Sequence, residues 1–546
     1  MKKLTLVLSI AAILSIANSF AQEKNPKLFV GVIVDQMRID YLYRFESKFS
    51  ENGFKRLMNE GFFSKNTHYN YVPTYTGPGH ASVYTGTTPE THGIIANDWY
   101  NRTLGRKINC VDDSTVTMVG GDKAGKKSYS PINLLSSNFA DEMKIASQGK
   151  SKVVSVSIKN RGAILPAGHF PDGAYWFDDK TGNFVTSTYY MGELPEWVDQ
   201  FNNQALAKKY LTGKWETLLP LNEYTESGPD NNPYEATIGV KDKPVFPYDL
   251  TAMRKKDGDY GSLPKTPFGN TIVTDIAKAA VTGEKLGQDE IADLLAISFS
   301  STDYIGHVFG PDSKEIEDCY IRLDREIADL LTYLDEQVGK NDYVLFLTAD
   351  HAVAEVPQFL IDKKIPAGYV KAKPIFSILK IKMKELYGEG EWISNISNDQ
   401  IFINKSLIKS KKIDKNQFMA DIKDVLMDFQ GIKNVFTAEE INTQSYEHGI
   451  RRKLQNGYNA KRSGDLLLVY EPGWFVTGYG KTGSTHGSGY NYDTHVPLIL
   501  YGTGIPKGYV SVVPTEITDI IPTLCTKYNV NLPNGATGTV IKELFK

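Results

Sequence analysis

The stretch Lys27-Leu-Phe-Val-Gly-Val-Ile-Val34-Asp35 is an unbroken apolar run closed by an acid. A half-exposed strand would alternate apolar and polar residues. A continuous run of this length fits a strand buried on both faces of a parallel sheet. Asp35 then lies at the strand's carboxyl end, where open α/β sheets place their sites. The pattern returns along the chain. Lys152-Val-Val-Ser-Val-Ser-Ile158 runs into Lys159-Asn-Arg161, and Leu294-Leu-Ala-Ile-Ser-Phe-Ser300 ends near Asp303. Tyr343-Val-Leu-Phe-Leu-Thr348 leads to Asp350-His351, and His495-Val-Pro-Leu-Ile-Leu-Tyr501 is a further strand. Residues 39–60 read as helical, residues 313–338 as a strong amphipathic helix, and Thr515 to Leu524 as a terminal helix. This alternation predicts one α/β sandwich: a mostly parallel central sheet with helices on both faces.

Two spans break the alternation. Residues 170–290 are rich in Tyr, Trp, Asn, Pro and Gly and are expected to be an insertion or cap rather than sheet core. Residues 365–480 mix a lysine-rich helix near 375–386, a second near 415–430 and a strand Asp465-Leu-Leu-Leu-Val-Tyr470, and read as a second insertion. No internal repeat or low-complexity tract is evident.

Composition excludes several classes of protein. A net charge of -3 gives no basic footprint for nucleic acid and no polybasic membrane signal. Cys110, Cys319 and Cys525 allow at most one disulfide, so this is no disulfide scaffold, and none of the three is expected to be catalytic. At the N-terminus, Lys2-Lys3 precede the apolar run Leu4 to Ala17, and Ser19-Phe20-Ala21 has the form of a signal-peptidase site. Residues 1–21 are therefore expected to be a cleaved export signal, leaving no membrane span.

One loop carries a nucleophile's signature: Tyr71-Val-Pro-Thr-Tyr-Thr76-Gly-Pro-Gly-His-Ala-Ser82. The glycines and proline after Thr76 force a tight turn, and His80 onward reads as the start of a helix. A hydroxyl where a loop enters a helix faces a partly positive helix end, which suits attack on an anion. The acids at strand ends have a bland explanation, since a lone Asp after a strand is most often a helix N-cap. Repetition weakens it. Asp303 and His307 are four apart and share a face in a helical turn, and His486 lies in a glycine-rich loop that can reach them. Mixed carboxylate and imidazole ligands suit zinc. His68, His80, His92, His169, His448 and His495 read as structural or solvent-facing, and the lysines from Lys405 to Lys412 as a solvated face.

Taken together and in this order, Asp35, Thr76, Asp303, His307, Asp350, His351 and His486 resemble the alkaline phosphatase superfamily, closest to its type I phosphodiesterase and nucleotide pyrophosphatase branch. Lys159-Asn-Arg161 is similar to the secreted, phosphate-irrepressible alkaline phosphatases of that branch. The resemblance covers nearly the whole mature chain. It implies a single alkaline-phosphatase-like catalytic domain over 22–546, with the two insertions, and two Zn2+ ions. Asp35, Asp350 and His351 would hold one zinc, which also binds the Thr76 oxygen. Asp303, His307 and His486 would hold the other. Asn97 would hydrogen-bond a phosphoryl oxygen, and Lys159 and Arg161 the oxygens charged only in a monoester. The implied activity is hydrolysis of small phosphate monoesters through a phosphothreonine at Thr76, by a monomer in the periplasm or outside the cell. Sulfatases of the superfamily need a Cys/Ser-x-Pro-x-Arg motif, absent here, and its phosphoglycerate mutases use serine. A phosphodiesterase or nucleotide pyrophosphatase using the same metals is the alternative, and a non-catalytic zinc- or phosphate-binding protein a third.

Overall fold

The computed structural model describes residues 25–545 apart from 477 and 479. The export signal expected at residues 1–21 lies outside the described residues. All seven residues of the first strand, β1 (Leu28–Val34), are buried. It is followed in the centre of the sheet by β2 (Val153–Ser157), β3 (Asp293–Phe299) and β4 (Tyr343–Thr348), each buried along its whole length. From edge to edge the strands run Tyr509–Ser511, Phe62–His68, His495–Gly502, β4, β1, β3, β2, Gly173–Asp178, Asn183–Ser187, Asp112–Val119 and Lys127–Tyr129. The block from β4 to Gly173–Asp178 is parallel, and antiparallel strands flank it. The sheet is thus mixed around a parallel centre, as the unbroken apolar runs require. β1 pairs Val34 with Phe299 of β3, and the Asp35 N–H still donates to Phe299 O at 2.9 Å. The ladder therefore carries Asp35 one step past the strand and fixes its backbone.

Two expectations are corrected. Residues 39–60 are not one helix: Tyr41–Arg44 and a short 3-10 turn, Glu46–Lys48, are separated by a bend from Phe54–Glu60. The Asp324 carboxylate causes the bend, accepting from Ser50 N at 2.6 Å and Phe54 N at 2.8 Å. A Cβ at Gly53 would lie 2.1 Å from that carboxylate, so only glycine fits the bend. The span 170–290 is not all insertion either. Gly173–Asp178 and Asn183–Ser187 extend the sheet, and Phe268–Glu284 is the crossover helix packed beneath β3 and β2. Their short, aromatic-rich strands lack the aliphatic run that marked the others.

Residues in the 365–480 span form a four-stranded antiparallel sheet, ordered Ile393–Ser397, Gln400–Ile403, Leu466–Tyr470, Ile432–Thr437. Helices Ala372–Tyr387 and Lys415–Met427 cover it through a separate core that includes Trp392, Phe418 and Ile422. Among the described residues, no helix is long and apolar enough to cross a membrane.

Candidate active site

Three helices place Thr76, Arg161, Asp303 and His307 at the carboxyl end of the parallel strands, Lys159 caps the second, and Asn97, Asp350, His351 and His486 lie on loops. The first is α1 (Thr76–Thr85), the second α2 (Asn160–Ala167), the third α3 (Ser301–Phe309). Thr76 is the first residue of α1, so the helix begins at the hydroxyl and not at His80. The first-turn N–H groups of a helix have no partners within it, and the helix dipole adds positive charge there. One of them is taken: Gly77 N donates to Asn97 Oδ1 at 2.7 Å. That bond fixes the Asn97 amide and leaves its NH2 group as a donor.

Asp35, Asp350 and His351 are fully buried, and Asp303 is 4% exposed. The backbone sets each imidazole. His351 Nδ1 faces Ala352 O at 3.0 Å, His307 Nδ1 faces Ser484 O at 2.9 Å and His486 Nδ1 faces Thr74 O at 2.7 Å. A carbonyl can only accept, so each Nδ1 carries the proton and each ring turns its Nε2 toward the site. Those Nε2 atoms point at carboxylate oxygens, 3.5 Å from Asp35 for His351, and 3.1 and 3.6 Å from Asp303 for His307 and His486. For His351 and His486 lone pair therefore meets lone pair, whereas at His307 burial is outweighed by the Asp303 charge, which raises the ring's pKa. Asp35 Oδ1, Asp350 Oδ2 and His351 Nε2 have no hydrogen-bond partner among the described residues. Burying such atoms unpaired is costly, and a cation between them resolves it. Their donor types fit zinc. Ligand atoms of Asp35, Asp350 and His351 lie within 4.8 Å of one another, as do those of Asp303, His351 and His486. His351 thus borders both groups, while His307 flanks Asp303 from the next turn of α3.

The electrostatics carry the same imbalance. Burial and then the Asp303 charge push the Asp35 carboxyl up to about 6, and burial and then Asp35 push Asp350 well up. Burial would raise Asp303 too, but His307 and then Lys159 hold it well below the usual range. Burial and then His307 lower His486 to about 3. Lys159 supplies the buried positive charge, its Nζ 2.5 Å from Asp35 Oδ2 and 2.6 Å from Asp303 Oδ2. It also lies 3.4 Å from Thr76 Oγ1. Arg161, on the first turn of α2, has a buried Nε without a partner among the described residues. A cavity of about 290 Å³ opens beside these two bases, walled by Trp176 and Tyr304.

Two residues escaped the sequence reading. His80, read as structural, is buried behind Thr76: Nδ1 is 2.9 Å from Thr76 O and Nε2 2.8 Å from Ser298 Oγ. Its spacing of one helical turn from Thr76 was the available signal. Gln36 ties the two carboxylate groups together, its N–H donating to Asp350 Oδ1 at 3.1 Å and its side chain to Asp303 Oδ1 at 2.6 Å. Only its place beside Asp35 hinted at this. The remaining histidines keep their structural or surface roles; His68 stacks on His495, for example. All three cysteines are buried free thiols, and burial pushes Cys110 up to about 12.

Ligand sets of this kind at the mouth of a parallel sheet, facing a hydroxyl at a helix start, define the metal-assisted hydrolases that work through an alcohol nucleophile. Within that class, the chain belongs to the type I phosphodiesterase/nucleotide pyrophosphatase family, whose model matches residues 29–493. It is 42% identical to alkaline phosphatase PafA of Elizabethkingia meningoseptica, over 95% of this chain and 94% of that one. The crystal structure of PafA superposes with a TM-score of 0.90 over 95% of this chain and 99% of that chain. Alkaline phosphatase PhoV of Synechococcus elongatus is also 42% identical, over 95% of this chain and 93% of that protein. A Myroides odoratus protein described as a calcium-transporting ATPase is 44% identical over 96% of both chains.

Proposed function

We propose that this chain is a zinc-dependent alkaline phosphatase that hydrolyses small phosphate monoesters through Thr76. The observation that carries the reading is the set of three imidazoles whose carbonyl-fixed Nδ1 atoms leave Nε2 aimed at buried carboxylates. Asp35, Asp350 and His351 would hold one Zn2+, and Asp303, His307 and His486 the second. Bound zinc would lower the pKa of an alcohol and stabilise charge on attacking and leaving oxygens.

The chain's own residues supply the rest. Thr76 Oγ1 forms a bond to phosphorus as the ester P–O bond breaks, giving phosphothreonine and releasing the alcohol, which takes up a proton. Water then displaces Thr76 from phosphorus, giving inorganic phosphate and restoring the hydroxyl. The Asn97 NH2 group, oriented by Gly77, donates to a phosphoryl oxygen. His80 holds the Thr76 carbonyl and so the first turn of α1. Lys159 and Arg161 add positive charge where a monoester carries one more negative charge than a diester, and arginine can grip two oxygens.

The family's description favours a second reading, a phosphodiesterase or nucleotide pyrophosphatase. Replacing Lys159 and Arg161 together by alanine separates the two. Loss of such charged donors is expected to lower kcat/KM on an aryl monoester by about 10³-fold and on the matched diester about 10-fold or less. Equal losses on both substrates would favour the diesterase. We read residues 22–546 as one catalytic domain of a monomer exported to the periplasm or beyond.

A further inference from the structure

An excursion closed by the paired strands Lys214–Trp215 and Tyr248–Asp249 covers the start of helix Lys314–Leu334. The first turn of that helix contains Glu315 and Glu317, with Asp318 just after it, all fully buried. Acids are favoured at a helix N-terminus, and Asp318 is well held. Asp318 accepts from Trp215 Nε1 at 2.7 Å, Tyr224 OH at 2.5 Å and Arg322 Nε at 2.7 Å. Glu317 Oε2 accepts from Ser227 Oγ at 2.5 Å.

Glu315, like Glu317, whose Oε1 has no partner among the described residues, is held on one side only. Its Oε1 accepts from Tyr248 OH at 2.5 Å, but Oε2 has no partner among the described residues. The Glu315 charge acts across the excursion on Glu235, which is 4% exposed and has no hydrogen-bond partner for either oxygen among the described residues. Asp230 adds further negative charge near both. The cation beside them, Lys314, donates through Nζ to Tyr224 O. Burial first, then Glu315, pushes Glu235 up to about 11, and burial pushes Glu315 up to about 8. A shared proton would leave most of these oxygens unmet, because no hydrogen bond joins the two carboxyls.

We propose that Glu235 and Glu315 form a third cation site, separate from the catalytic pair, that takes a hard divalent ion of the calcium class. The donors are oxygens without imidazole or thiol, which selects calcium over zinc, and calcium accepts carbonyls and water to complete its shell. The ion fastens the excursion to the helix. It also steadies a path to the catalytic loop: Tyr234, next to Glu235, accepts from Gly483 N at 2.9 Å, and Ser484 N donates to His307 O at 3.1 Å.

The test uses zinc-saturated full-length protein and terbium as the probe. Tyr248 on the Glu315 carboxylate, with Trp215 5.2 Å from its ring, would sensitise terbium emission. The expected result is sensitised emission displaced by calcium, a melting temperature raised by calcium, and both effects lost in Glu235→Gln. Equal emission in Glu235→Gln, or no calcium effect on melting, overturns the site. Should that variant not fold, elemental analysis of wild-type protein equilibrated with calcium and desalted decides. Calcium retained at about one ion per chain supports the site, and zinc alone overturns it.

Discussion

At the scale of single residues, protons are placed by what faces each ring nitrogen. His351, His307 and His486 are each locked by a carbonyl into the tautomer a metal ligand needs. His169 differs from His351 and His486. Both of its ring nitrogens face acceptors, Asp141 Oδ2 at 2.8 Å and Leu134 O at 3.1 Å, so the imidazolium fits. Burial lowers its pKa, but the Asp141 hydrogen bond and charge outweigh burial and raise it above the ordinary 6.5. A pKa raised by folding stabilises fully below the unfolded value and loses that contribution as pH rises through the folded one. The melting-temperature gap between wild type and His169→Asn is therefore expected to be widest below about 6.5 and to shrink toward alkaline pH. A gap that widens with pH would contradict the assignment. The sequence marked Asp35, Asp303 and Asp350-His351 as candidate ligands because acids and imidazoles recur at strand ends. It could not reveal Gln36 or the role of His80, whose partners, Ser298 and Asp350 among them, lie hundreds of residues away.

At the scale of elements, α1 must lie close against the end of β4 for Thr76 to meet the ligands. Gly79 permits this contact. A Cβ there would come 2.4 Å from Asp350 O and 2.6 Å from Asp350 Cβ. Gly79→Ala must push the helix and the Asp350-His351 turn apart. Displacements of about 1 Å at a reacting centre can cost about 10²-fold. A fall of that order in kcat/KM, with reduced zinc content, is expected; unchanged kinetics and zinc would refute the close-contact account. Continuous apolar strands announced β1 to β4 in the sequence, since burial on both faces leaves no room for polar residues. The bend at Gly53 and the strands Gly173–Asp178 and Asn183–Ser187 were not legible. Their placement depends on a carboxylate at Asp324 and on the neighbouring β2, neither of which local pattern can supply.

At the scale of the whole molecule, the antiparallel module contributes to the site by holding the loop before Thr76. Val72 N donates to Lys453 O at 3.1 Å, and Asn456 Nδ2 donates to Asn70 O at 2.8 Å. Gly457 lies flat on that loop, where an added Cβ would sit 1.6 Å from Val72 O. Gly457→Ala should cost roughly 1–3 kcal/mol through overpacking and lower kcat together with the melting temperature. A variant with native activity and stability would mean that the module does not set the loop. The general α/β class was readable because strand and helix alternate over most of the chain. How the 365–480 span docks was not, because side chains such as Asn456, Arg462 and Asn398 reach carbonyls at Asn70, Gly93 and Asp98, far away in sequence.

The central claim is that a threonine carries the phosphoryl group, and trapping it is the most direct test. The zinc-loaded protein would be mixed with an excess of aryl phosphate, quenched in acid during turnover and digested for mass spectrometry. The account predicts a phosphoryl adduct on the peptide containing Thr76, at Thr76 itself, with no adduct and no turnover in Thr76→Ala. Native turnover by Thr76→Ala, or an adduct on another residue, would contradict it.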